Sequence, residues 1–151
     1  MKKNILHIFE LFSLLLVLCL WTGCSSEDDV EGIFVGKTWC VNYMFKADGK
    51  TAAFTDEEKE TIDSNRENYC IVFGQENFNA KSGDFTFGGK WSVDGKKHTI
   101  HFEIEGNIVP PDPISNKFVG VIKEATKYEG DYEQLRIYTS ANTSILFRPL
   151  K

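Results

Sequence analysis

The sequence predicts an α+β domain built on a mostly antiparallel, curled β-sheet or partial barrel of about seven strands. Three observations lead there. Short segments alternate apolar and polar residues with a period of two, and a single later stretch switches to helical spacing. Between two of the alternating segments stands Asp94-Gly95, a strong hairpin signal.

Taken in order, residues 37–45 place Trp39, Val41, Tyr43 and Phe45 on one face, the pattern of a half-buried strand. Ala47, Asp48 and Gly49 then turn the chain. Thr55 and Glu58 have the form of a capping box, in which each side chain takes the other residue's backbone N–H. A short, very polar helix over 55–65 follows as an insertion. Residues 69–73 and 77–80 read as strands around a turn at 74–76. In 85–93 every odd position except Gly89 is large and apolar; Gly88 and Gly89 inside that pattern signal a bulge or a close backbone approach. The return strand, 99–105, puts Ile100, Phe102 and Ile104 on one face, until Gly106 and the prolines at 110, 111 and 113 end it. Phe118, Val121, Ile122, Ala125 and Tyr128 then recur at three and four residues, the stripe of one amphipathic helix capped by Ser115 or Asn116 and ended by Gly130. Residues 134–138 and 144–147 close the domain as a hairpin.

The N-terminus carries a different message. Lys2 and Lys3 precede an apolar run over 11–20, and the segment ends at Gly23-Cys24. A cationic head, an apolar stretch of about 7–15 residues and a small residue before the cut describe a secretory signal. The run is too short for the roughly 20 residues that span a bilayer. With cysteine after the cut, the segment resembles a bacterial lipoprotein signal, which implies removal of 1–23 and acylation of Cys24. Cleavage leaves 128 residues, enough for one domain with a real core. The removed segment holds Lys2, Lys3 and Glu10, so 17 basic and 22 acidic residues become 15 and 21, and the net charge moves from −5 to −6. The lysines are scattered, which argues against nucleic acid as a partner. Residues 24–32 read as an acidic tether, either a plain solvated linker or similar to the acid-rich tag that sends some Gram-negative lipoproteins to the cell surface. The β-rich domain spans 33–151. The expected location is the outer membrane, on its periplasmic or cell-surface side, with the lipid as the membrane contact.

Chemistry is sparse. Cys40 and Cys70 each sit in an expected strand, so a disulfide requires those strands to be neighbours; the other reading is two buried thiols. His98 and His101 lie three apart on one expected strand, point to opposite faces and do not share a metal. Asp84 and Asp94 read as turn residues, and only folding could bring a pair such as Glu103 and Asp84 together. No calcium loop, nucleophile elbow or phosphate loop is present, so no catalytic residue, metal or cofactor is expected. The aromatic residues remain. Trp39, Tyr43, Phe87 and Trp91 are core residues of a curved sheet, or ligand contacts if the interior stays open.

Gly36-Lys37-Thr38-Trp39, Tyr69-Cys70-Ile71-Val72-Phe73, the segment from Phe78 to Gly83, Gly89-Lys90-Trp91 and the closing hairpin from Leu135 to Pro149 follow one another in a familiar order. Together they resemble the META-domain family of bacterial envelope lipoproteins. That resemblance implies a compact antiparallel sheet curled against one helix and an envelope role, and it carries over no catalytic residue. The N-terminal Gly-x-x-Trp and alternating strands are also similar to small lipocalin-like domains. The expected function is a non-enzymatic, lipid-anchored binding module for an envelope protein, a peptide or a glycan. The alternative is a lipocalin-like carrier of a small hydrophobic ligand.

Overall fold

A computed structural model describes residues 28–151. The signal segment, Cys24 and the first residues of the tether lie outside the described residues.

Eight antiparallel strands close into a barrel: β1 (Thr38–Phe45), β2 (Tyr69–Phe73), β3 (Asn77–Ser82), β4 (Phe85–Asp94), β5 (Thr99–Ile104), β6 (Ala125–Gly130), β7 (Leu135–Thr139) and β8 (Ser144–Pro149). Each pairs with its neighbours in sequence, and β8 returns to β1 from Trp39↔Pro149 to Phe45↔Ser144. The expectation of a partial barrel with about seven strands is corrected on both counts. The strand it lacked is β6. Ala125 and Tyr128, assigned by spacing to a long helix, face inward from β6 because a bulge between Ala125 and Lys127 puts two residues between them. Inward positions three apart imitate a helical stripe.

A second bulge corrects β1. Register shifts between Val41 and Tyr43, so Trp39, Val41 and Met44 are buried while Tyr43 is 44% exposed. Strict alternation had placed Tyr43 and Phe45 beside Trp39. Gly89 is where the backbones approach closely: a Cβ there would lie 1.9 Å from the Glu103 carbonyl oxygen.

Helices plug both ends. α3 (Pro113–Lys123; α1 and α2 follow below) links β5 to β6 and covers the end where both begin or finish. Its cap is Asp112, which accepts the Ser115 N–H at 2.8 Å, with Pro113 at the first helical position. Ser115, expected as a cap, is instead buried, and its hydroxyl lies 3.0 Å from Ser82 Oγ. Phe118 of α3 reaches into the barrel against Phe87 and Phe147, with ring centroids 5.5 and 5.9 Å away.

The opposite end is closed by α1 (Val30–Phe34), which begins in the stretch read as tether, runs past its boundary at residue 32 into the domain, and is capped by Asp29, which accepts the Gly32 N–H at 2.9 Å. Phe34 is fully buried, with ring centroids 5.0–5.1 Å from Phe73, Trp91 and Tyr128. Burying a side chain of that size contributes about 1.5–3 kcal/mol. α2 (Asp56–Ser64) carries the capping box: Thr55 Oγ1 accepts the Glu58 N–H at 3.2 Å, and Glu58 accepts the Thr55 N–H at 2.7 Å. Lys117 of α3 donates to the same Glu58 carboxylate at 2.5 Å, and Ile62 fixes α2 to the core.

Candidate functional site

The four aromatic candidates do not converge. Trp39 is fully buried and its indole N–H donates to the Ile33 carbonyl at 3.2 Å. Trp91 is buried, donates to the Gly74 carbonyl at 3.0 Å, and its ring centroid lies 4.8 Å from that of Phe73. Phe87 packs between Phe78 and Phe118. Tyr43 stands outside, stacked on Phe45 and covered by the Lys59 ammonium at 4.6 Å from its ring centre. The inward residues of the strands join one apolar cluster with Phe34 and Phe118. A carrier would need that space open, and side chains fill it.

The room for a ligand lies on the outer wall. Registers run Thr38↔Val72, Val72↔Asn79 and Asn79↔Gly88, and the Glu105 N–H donates to the Gly88 carbonyl at 2.9 Å. Thr38, Val72, Asn79, Gly88 and Glu105 therefore form one row across five chain segments. Outward positions recur every second residue, and Gly88 contributes no side chain, so the row sinks at that point. The result is a groove of about 940 Å³. It offers hydroxyls, amides, the carboxylates of Glu67 and Glu105, the Lys81 ammonium and one exposed apolar side chain, Val72, at 39%. The adjoining row pairs Cys40 with Cys70, which are disulfide-bonded across β1 and β2. Lys81, opposite Cys70, donates to Asn68 Oδ1 at 2.7 Å and braces the groove's flank.

The titratable groups are scattered. His98 precedes β5 in a turn with φ 54°, and its Nδ1 lies 2.9 Å from Asp28, whereas His101 is exposed on β5. The two are thus not on one strand. Asp84 lies in the β3–β4 turn and Glu103 opposite Lys90 in mid-barrel, so they do not meet. Asp131 is held below its usual range by the N–H groups of Glu133 and Gln134, and Asp94 by those of Lys97 and Lys96. Burial, then the bond to Asp28, raises the Tyr128 hydroxyl well above the tyrosine range. These shifts belong to turns and packing. Among the described residues no group of three or more His, Cys, Asp or Glu side chains is placed to hold a metal, and no helix is long and apolar enough to cross a membrane. Sequence reasoning missed the outer-wall row, because its members are joined only by strand register.

The molecule is a small antiparallel barrel with a packed interior and an open groove on its outer wall. The chain belongs to the family described as DUF4847, a domain of unknown function, whose model matches residues 25–149. Among solved structures it is similar to a crystal structure of a DUF4847 family protein from Bacteroides vulgatus, at 23% identity and TM-score 0.65 over 79% of this chain and 96% of that one. An NMR structure of a protein from Burkholderia xenovorans is similar at 10% identity and TM-score 0.54, over 78% of this chain and 84% of that one. No curated protein matches. These findings overturn the META-domain resemblance: the family that spans the chain is DUF4847. Of what carried it, the alternating strands in order are general to antiparallel sheets, and the short Gly-x-x-Trp segment does not single out one family.

Proposed function

We propose that the protein is a lipid-anchored component of the cell envelope that works by binding, without catalysis, on the outer wall of its barrel. One observation carries this reading: the interior is occupied by Trp39, Phe87 and Trp91, while the groove along Thr38, Val72, Asn79 and Gly88 is open. Its mix of hydroxyls, amides, carboxylates and the Lys81 ammonium with one exposed valine suits an extended peptide, from an envelope protein or free, or a glycan. Asp131 and Tyr128, whose acidity is shifted by turn and packing contacts, do not line the groove, which favours binding over turnover there. The outer membrane, periplasmic or cell-surface side, is the proposed location, through acylation of Cys24.

Two experiments test the reading. A photocrosslinking amino acid at Asn79 in intact cells is expected to give a discrete adduct that the same probe at Thr99, on another wall, does not. Equal patterns at the two positions remove the groove from the proposal. A fatty-acid probe is expected to label the wild type and not Cys24→Ala, and equal labelling removes the anchor.

A further inference from the structure

A second pocket, of about 630 Å³, is lined by Arg66, Arg148, Tyr132, Glu133, Leu150 and Lys151 and shares no residue with the outer-wall groove. Its two arginines flank the disulfide in the chain and the register. Arg148 on β8 faces Cys40 in the register, and Arg66, in the 3₁₀ turn Arg66–Asn68, lies four residues before Cys70. In a chain of net charge −5 this is a concentration of cations. Nε and Nη2 of Arg66 are shielded from solvent and have no hydrogen-bond partner among the described residues. The Lys37 ammonium is in the same condition, 4.5 Å from the centre of the Tyr132 ring.

Shielded N–H donors without an acceptor are costly, and the planar guanidinium fork matches the oxygens of an oxyanion. The nearby carboxylates do not supply them. Asp131 accepts the N–H groups of Glu133 and Gln134 at 2.8 and 2.9 Å, and Asp29 accepts from Gly32 and from the Tyr132 hydroxyl. Glu133 is the one carboxylate side chain lining the pocket, and Arg148 reaches only its backbone carbonyl, at 3.4 Å. A bare phosphate would leave most of the volume empty, whereas small-molecule sites measure about 300–1,000 Å³. Tyr132 and Leu150, 57% and 46% exposed, supply apolar wall.

We propose that this pocket binds a phosphate ester, its oxygens on the Arg66 and Arg148 forks and its organic part against Tyr132 and Leu150. The ester is either the headgroup of an anionic lipid or a soluble metabolite. The inference goes beyond the outer-wall reading and stands whether or not that groove binds a partner. The test is calorimetric titration of the full chain in a neutral detergent at low salt. The probes are inorganic phosphate, glycerol phosphate and dihexanoyl phosphatidylglycerol. Saturable binding of an ester is expected, tighter than inorganic phosphate and weakened about 10- to 100-fold in Arg66→Gln and in Arg148→Gln at unchanged melting temperature. Preference for the short-chain lipid assigns a lipid source, and preference for glycerol phosphate a soluble one. Arg148→Lys keeps the charge without the fork, and an intermediate loss is expected should either glutamine variant fail to fold. No binding at millimolar concentrations, affinities unchanged by these substitutions, or inorganic phosphate bound as tightly as either ester overturns the proposal.

Discussion

His98 Nδ1 lies 2.9 Å from the carboxylate oxygen of Asp28 that also accepts the Tyr128 hydroxyl at 3.0 Å. A residue at the very start of the described chain is thereby joined to the β4–β5 turn and to a fully buried tyrosine of β6. The link holds α1 over its end of the barrel.

Removing that carboxylate leaves the buried Tyr128 hydroxyl without its acceptor. Asp28→Ala is expected to cost about 1–3 kcal/mol in denaturant unfolding. Amide exchange should accelerate in α1 and in the turn at His98 ahead of the remaining strands. Uniform acceleration across the barrel would contradict this local role.

Acid should loosen the α2–α3 contact. Burial alone would raise the Glu58 carboxyl, but the bonds from Lys117 and from the Thr55 N–H outweigh it and hold it below its usual 4.5. A carboxyl with a lowered folded value adds stability above its unfolded value and loses it as pH falls through the folded one. Stability is therefore expected to decline below about pH 4.5. Glu58→Gln should cost about 1 kcal/mol at neutral pH and flatten that decline. Melting temperatures of both proteins from pH 7 to 3 check it.

Gly89→Ala should not be tolerated. The added carbon would meet the Glu103 carbonyl oxygen at 1.9 Å, and that atom belongs to the paired β5 backbone and has nowhere to swing. A loss of about 3 kcal/mol or more is expected, read as a lower denaturant midpoint or as insoluble product. Alanine at Gly120, where a Cβ meets nothing within 4 Å, is the control and should be neutral or better.

The Cys40–Cys70 bond closes a separation of 30 residues that contains α2. Replacing both cysteines with alanine is expected to remove about 3–4 kcal/mol by freeing the unfolded chain. Unfolding of the wild type with and without a reductant should reproduce the difference.

Much of this fold is legible in the sequence because local chemistry and final structure agree. Thr55 and Glu58 form their box, and residues 69–73 alternate as the strand they become, with Tyr69, Ile71 and Phe73 inward. Two bulges defeat the same reasoning. Each inserts one residue and changes an inward spacing from two to three, which hides Met44 from the β1 pattern and lends Ala125 and Tyr128 a helical look. Closure through β1 and β8 is carried by contacts about a hundred residues apart and has no local signal. The same holds for the candidate sites. Val72, Asn79 and Gly88 become neighbours through register, and Arg66 and Arg148 come to line one pocket from a turn and a strand far apart in sequence.

The ring of eight strands has one more consequence. Every strand has a neighbour within the same chain on both sides, but the ladder between β5 and β6 is joined at Thr99↔Lys127 alone, so the ring is thinnest at that seam. Recognition by strand addition is thereby confined to that seam, and elsewhere on the wall whatever the protein holds is read by side chains. Crowded side by side, copies of it offer little template on which sheets zip together beyond that seam.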